Sequence, residues 1–360
     1  MAVAHSIARD DRAVFVLEKN AGLGQETSSR HSGVIHSGIY YPPGSLKASL
    51  CLEGNRMLYA LCEKHGIGHR RLGKIIAAAH PAELGELDRL QERGGRNGVA
   101  GLRRLSRAEL KKLEPEVAGL EALLLPSTGI VDAPALMRFF AASARGRGTQ
   151  ILCRSEVTAI TKQAAGYRVA VRTPTEQYYV NARTVVNCAG LHSAAVAGLA
   201  GMDVAAAGYE MAYFKGEYFS IARERSKLVR RLVYPVPPSS LEGVGIHITL
   251  DLEGRMRLGP NAFPVQSLDY SVDVGHKRQF YESARKLLPA LEIDDLEPDT
   301  AGIRPRLKGS ESRIMDFVIR EESGRGLPGF INLVGIESPG LTSSPAIGEY
   351  VAGLLRETER

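Results

Sequence analysis

"MAVAHSIARDDRAVFVLEKN", residues 1–20, reads as helix, turn, strand and strand-end acid. Ala2 to Asp10 is a small-residue helix, Arg12 turns the chain, and Ala13 to Leu17 is a β-branched and aromatic apolar run ended by Glu18. That order matches the second half of a βαβ nucleotide-binding unit: crossover helix, second strand, and an acid for a ribose hydroxyl. The first half, a strand with its glycine loop, belongs about 20 residues before the acid. Counting back from Glu18 runs past Met1. The glycine loop is therefore expected to be missing, through a start assigned too late or a shortened copy. A solvated strand-end acid is the plainer reading of Glu18.

A literal GxGxxG does occur at Gly324 to Gly329 ("GRGLPG"), but it precedes an apolar strand and contains Pro328. A phosphate-binding glycine loop must follow a strand and open a helix, because the helix N-terminus receives the anion. This run reads as a surface turn.

At 360 residues the chain exceeds the usual size of one core, so two lobes are expected. Apolar residues at 44% and charged residues at 24% describe a globular protein. The net charge of +6 comes from scattered Lys and Arg, with no long basic run and no Trp, which argues against a nucleic-acid partner. A positive field that attracts a small acid fits equally well. The four cysteines (Cys51, Cys62, Cys153, Cys188) are isolated and read as free thiols in a reducing compartment. No HxH or HExxH spacing suggests a metal, and no GxSxG suggests a nucleophilic serine. The most apolar long stretch, around Val185 to Ala200, contains Asn187 and His192 and should not span a bilayer. The expected location is the cytoplasm, with peripheral contact to the inner membrane left open.

Asn20 to Ser45 is a long Gly-, Ser- and Thr-rich loop, and loops of that length in compact domains are usually functional. Leu46 to His65 reads as an amphipathic helix and Gly73 to Ala79 as a strand. Helices follow at Glu83 to Arg93 and at Arg107 to Leu113, the latter capped by Ser106. Asp132 caps a further helix that ends at glycine. From Gln150 the segments "ILCRSEVTAI", "YRVAVRT" and "QYYVNA" read as a β-meander, followed by a buried strand at Thr184 to Cys188, an Ala189–Gly190 turn and a small-residue helix. A helix is expected near Lys277 to Leu288, and the C-terminus reads strand, glycine turn, helix. Together these predict an α/β chain with one mixed sheet built from distant parts of the sequence.

"SSRHSGVIHSGIYYPPGSLKASLCLEGNRMLY" resembles the flavin-proximal loop and following helix of the L-2-hydroxyglutarate dehydrogenases, within the FAD-dependent glycine oxidase/D-amino-acid oxidase-like superfamily. "GIVD" (129–132), "NCAGLHS" (187–193), "YPVP", "GVGIHIT" and "LGPNA" (within 234–262), "AGIRP" (301–305) and "SPGLTSSPAIGEYVA" follow in the family's order. The resemblance spans nearly the whole chain and departs from the family only in the first strand and glycine loop. It implies a Rossmann-like FAD-binding domain, shortened at its N-terminus (residues 1–72, 148–208 and 300–360), and a discontinuous antiparallel-sheet substrate domain (residues 73–147 and 209–299). It implies FAD as cofactor, a small dicarboxylic 2-hydroxy acid as substrate, and a quinone or oxygen as electron acceptor. An amine or glycine oxidase of the same superfamily, or a catalytically impaired remnant, are the competing readings.

Oxidising a hydroxy acid requires a base, a cation for the carboxylate, and a positive pole beside the reduced flavin ring. The expected base is His247, which strand alternation would point opposite to Ile246 and Ile248, with His36 as runner-up. Arg304 is the expected carboxylate anchor, and Arg306 a candidate for a second carboxylate. Glu18, Lys19 and Thr27 are expected at the cofactor, with Ser28, Ser29 and Arg30 at its pyrophosphate and His31 also touching it. Val157 resembles the family's adenine-contacting position. Ala189 and Gly190 would let backbone approach the cofactor, and Gly340, Leu341 and Thr342 would open the helix whose N-terminus faces the flavin.

Overall fold

The computed structural model describes residues 1–225, 227–237, 245–309 and 315–358. Gly243 and Val244 of the "GVGIHIT" segment lie outside the described residues.

The helix Leu46–His65 has the predicted bounds, because its ends are locally specified. The Ser45 hydroxyl accepts from the Ala48 N–H, and Gly66 ends the helix in the left-handed region at φ 65°. The Asp316 carboxylate also accepts from the Leu46 and Lys47 N–H groups, placing a negative charge at the helix's positive end. Ser106 and Glu109 form a reciprocal capping box on Arg107–Leu113, and Asp132 caps Ala133–Arg145.

The strands do not form one mixed sheet. Among the described residues they fall into five. The largest has nine strands and takes in Lys74–Ala78, Arg103–Ser106 and Glu121–Leu125 together with the strands from Met211–Ile221 to Leu296–Leu307. Its two long members, Met211–Ile221 and Leu296–Leu307, run antiparallel with Phe214 opposite Arg304. Lys74–Ala78 is parallel to Leu232–Pro235, with Lys74 opposite Leu232. A large apolar core, including Ile75, Leu90, Leu123, Phe219 and Leu258, backs this sheet.

Two further parallel strand pairs stand outside this sheet. Phe15–Glu18 pairs with Gln150–Cys153, and Val185–Asn187 pairs with Leu327–Val334, which in turn pairs antiparallel with Val318–Glu322. Phe15–Glu18 and Val185–Asn187 each have one partner strand among the described residues, and both line the same cavity. "ILCRSEVTAI" is likewise two strands in two sheets. Gln150–Cys153 joins Phe15–Glu18, the chain turns at Arg154 with φ 54°, and Glu156–Gln163 begins the three-stranded meander. The break is physical: Arg154 and Ser155 donate their N–H groups to the carbonyls of Asn20 and Glu18, so the ladder ends there.

The helix Gly340–Thr358 packs against both Leu46–His65 and Ala2–Ile7, and Ala133–Arg145 covers Ala2–Ile7 from the other side. Among the described residues, no helix is long and apolar enough to cross a membrane.

Candidate active site

A cavity of about 2590 Å³ runs from the strand end at Glu18, past the loop Thr27–Val34 and the Ala189–Gly190 turn, to the nine-stranded sheet. Three local features shape it. The loop after Phe15–Glu18 crosses the strand Leu296–Leu307 at Gly302, where a Cβ would stand 2.2 Å from the Arg30 carbonyl oxygen, so only glycine allows the crossing. The Thr27 hydroxyl donates to the Ile303 carbonyl, and the Arg30 guanidinium lies 4.1 Å from the Tyr270 ring centre. The Ala189–Gly190 turn is pinned from behind, because the Asn187 side-chain amide donates to the Ser193 carbonyl and to Asn332.

At the cavity's inner end the groups are titratable and close. The His247 imidazole lies parallel to the Tyr234 phenol, their centroids 3.6 Å apart. His36 is enclosed, with Nε2 3.3 Å from the Ser338 hydroxyl and Nδ1 lacking a hydrogen-bond partner. Burial, then the charges of Lys74, His247 and Arg304, hold His36 well below the usual histidine range. Arg304 makes no hydrogen bond or ion pair among the described residues, yet its charge reaches His36, Tyr41, Tyr218, Tyr234 and Glu337. Burial opposes ionisation of Glu337, but Lys47 at 2.9 Å, with Arg304 and Arg306, holds its carboxyl below the ordinary value. Arg306 sits over the Phe214 ring at 4.6 Å and 3.9 Å from Glu337.

The expected residues Glu18, Lys19, Thr27, Ser28, Arg30, His31, His36, Val157, Ala189, Gly190, His247, Arg304, Gly340 and Leu341 all line this cavity. Ser29 and Thr342 do not. Ser29 is exposed and its hydroxyl donates to the Glu26 carbonyl, because the short 3₁₀ turn Thr27–Ser29 rotates it outward. Thr342 is fully buried; its hydroxyl accepts from the His36 N–H and donates to the Val34 carbonyl, so it joins loop to helix. His247 precedes the strand Ile248–Leu250 and is buried alongside Ile246 and Ile248, so alternation does not set its direction; the Tyr234 ring does. The Lys19 ammonium is engaged by Glu26, which also meets His192.

Sequence reasoning assigned no role to Tyr41, Tyr218, Tyr234 or Glu337, which complete the inner end. The available signal was a set of hydroxyl-bearing or charged residues inside otherwise apolar runs, as in "LVYP" and "GIESPG".

The residues present suit a dinucleotide. The Gly190 backbone stands at φ 55°, and a Cβ there would meet no protein atom within 4 Å, so open space lies against the turn. The Ser344 hydroxyl is buried without a partner. The first turn of Gly340–Thr358 faces the same space through Gly340, Leu341 and Ser344, while the Gly340 and Ser343 N–H groups donate to the Glu337 and Pro339 carbonyls.

Comparison with known proteins agrees. The FAD dependent oxidoreductase (DAO) family matches residues 1–354. The mitochondrial L-2-hydroxyglutarate dehydrogenase of Arabidopsis thaliana is 34% identical over 98% of this chain and 80% of its own length. Its counterpart from Escherichia coli K12 is 29% identical over 95% of this chain and 86% of its own length. Among solved structures, dithionite-reduced L-alpha-glycerophosphate oxidase from Mycoplasma pneumoniae with FAD bound superposes with a TM-score of 0.87 at 27% identity, covering 99% of this chain and 91% of the other. Glycine oxidase from Geobacillus kaustophilus shares the fold with a TM-score of 0.79 at 23% identity, over 99% and 91% of the two chains. By the family match over residues 1–354 and these relatives, the chain belongs to the DAO family of FAD-dependent oxidoreductases, in the group of the L-2-hydroxyglutarate dehydrogenases.

Proposed function

We propose that this enzyme oxidises L-2-hydroxyglutarate to 2-oxoglutarate, with Arg304 binding the carboxylate next to the reacting carbon. The observation that carries this reading is the Arg304 guanidinium, without a hydrogen-bond or ion-pair partner among the described residues, in a cavity it shares with the imidazoles of His36 and His247, among others. A guanidinium grips a carboxylate through two parallel hydrogen bonds, which fixes orientation as well as position. Arg306 lies two residues along the same strand and takes the distal carboxylate, steadied by Phe214 and Glu337.

His247 accepts the hydroxyl proton while the Cα hydrogen departs with its electron pair, leaving the carbonyl of the keto acid. Bound FAD supplies the acceptor for that pair, and a quinone or oxygen takes the electrons onward. Tyr40, Tyr41, Tyr218 and Tyr234 are all held above the ordinary tyrosine range, chiefly by burial, so they stay as neutral hydroxyl groups around the substrate. Ser28, Arg30, Gly190 and the first turn of Gly340–Thr358 hold the cofactor.

Anaerobic mixing of the FAD-loaded enzyme with L-2-hydroxyglutarate tests the assignment. Bleaching of the flavin absorbance supports it. A flavin that stays oxidised with this acid, or that is bleached by glycine instead, removes it.

A further inference from the structure

Lys74 is the first residue of a strand whose five members are all buried, and its own side chain is inaccessible. Its ammonium nitrogen has no hydrogen-bond partner. It lies 4.5 Å from the ring centres of both Tyr40 and Tyr234. Lys74 and Tyr234 share a face of the sheet, because Lys74 pairs with Leu232 and Tyr234 stands two residues further along the parallel strand. His247 covers Tyr234 with parallel ring planes. The Tyr234 ring centre thus has the Lys74 ammonium 4.5 Å away and the His247 ring centre 3.6 Å away, and Tyr234 and His247, but not Lys74, line the cavity.

The groups that face Lys74 come from three further elements. Tyr40 and His36 stand on the loop before Leu46–His65, Cys51 on that helix, and Tyr234 on the neighbouring strand. Among the described residues, no carboxylate acts on its charge. Burial lowers the Lys74 amine to about 7, opposed only weakly by Cys51, and Lys74 is the largest charge acting on His36.

We propose that Lys74 is a positioning residue for the reaction: its buried ammonium, acting across the Tyr234 and Tyr40 rings, keeps the imidazole end of the cavity free of bound protons. A protonated imidazole there would have no capacity for the substrate's hydroxyl proton and would add a second cation beside Arg304. The device acts where it is needed. Lys74 is charged below about pH 7, the range in which an ordinary histidine would charge. The proposal rests on the reading of this cavity as a hydroxy-acid site.

The test compares wild type with Lys74→Met, both FAD-loaded, by the rate of flavin reduction by L-2-hydroxyglutarate between pH 5 and 8. The acidic limb of the variant is expected to move up by about half a pH unit or more. A uniformly slower variant with an unmoved limb would mean a structural role and overturn the proposal. A second arm needs neither substrate nor variant: wild-type protein with ¹³C-labelled imidazoles is titrated by NMR. The His36 signal is expected to stay neutral through pH 6 and to show a step near pH 7, where Lys74 loses its proton. A protonated His36 at pH 6, or no step, overturns the proposal even if Lys74→Met fails to fold. Should wild type show no reduction by the acid at any pH, the substrate reading falls while the NMR arm still decides the role of Lys74.

Discussion

His247 rests flat on Tyr234, the two rings 3.6 Å apart with planes 9° from parallel. His247 lies ahead of Ile248–Leu250, its carbonyl accepts from the Gly259 N–H, and its ring lines the cavity. If His247 takes the hydroxyl proton, His247→Ala should slow flavin reduction by about 10²- to 10⁴-fold. Substrate affinity should change little, because Arg304 remains. Single-turnover kinetics at varied acid concentration separates the two quantities.

Arg304→Lys keeps the positive charge but not the paired donors. Its kcat/KM should fall by about 100-fold, roughly 3 kcal/mol of lost transition-state binding. Shorter monocarboxylic 2-hydroxy acids should lose by a similar factor, and Arg306→Met should affect only the dicarboxylic substrate. A steady-state comparison of the two acids in both variants checks this.

Glu337 and Lys47 form a nearly inaccessible pair at 2.9 Å. Glu337→Gln strands the lysine and should destabilise the fold by about 3 kcal/mol, read as a lower urea midpoint. The sign with pH follows from the direction of the shift. The folded-state carboxyl is held below its unfolded value, so its contribution is present above the unfolded value and is lost as pH falls through the folded one. Wild type should therefore lose stability toward pH 4 more steeply than the Gln variant.

Lys74 has the opposite signature. Its folded amine titrates near 7 while the unfolded one titrates near 10.5, so the unfolded chain binds more protons between those values. Stability should rise as pH climbs through that window and be lowest where both states are charged. Lys74→Met should remove the slope and add roughly 4 kcal/mol at pH 6, less whatever the cavity relaxes. Urea unfolding at pH 6 and pH 9 measures it.

Gly190 stands at positive φ with open space where a Cβ would point. Gly190→Ala should cost the apoprotein only about 1 kcal/mol, but should weaken FAD binding by at least about tenfold as the methyl occupies the cofactor's space. Equilibrium titration with FAD, beside thermal unfolding of the apoprotein, tells the two effects apart.

What could be read from the sequence divides along a physical line. Helices with local end signals were legible: Ser45 and Gly66 bound one, Ser106 with Glu109 another, Asp132 a third. Glu18 at a strand end and Gly190 in a turn were expected at the cofactor and line the cavity, where position follows from the local backbone, and Arg304, within the strand Leu296–Leu307, lines it too. Side-chain direction in the loop after Glu18 was not. Ser28 faces the cavity and Ser29 faces water, a choice made by a single 3₁₀ turn. The part the Thr342 hydroxyl plays was not legible either, because it answers two backbone groups some 300 positions away. Lys74 was invisible because nothing in "LGKIIAAA" says that two tyrosines from elsewhere enclose its ammonium.

Two strands with a single partner among the described residues carry a liability of their own. Among the described residues Phe15–Glu18 and Val185–Asn187 each pair with a single strand, and Phe15 stays 43% exposed. Such borders are templates on which any extended peptide can crystallise as a further strand. Their amides should trade protons with solvent sooner than those of Ile331 and Leu333, and concentrated solutions of this molecule should cling to one another at that seam before anywhere else.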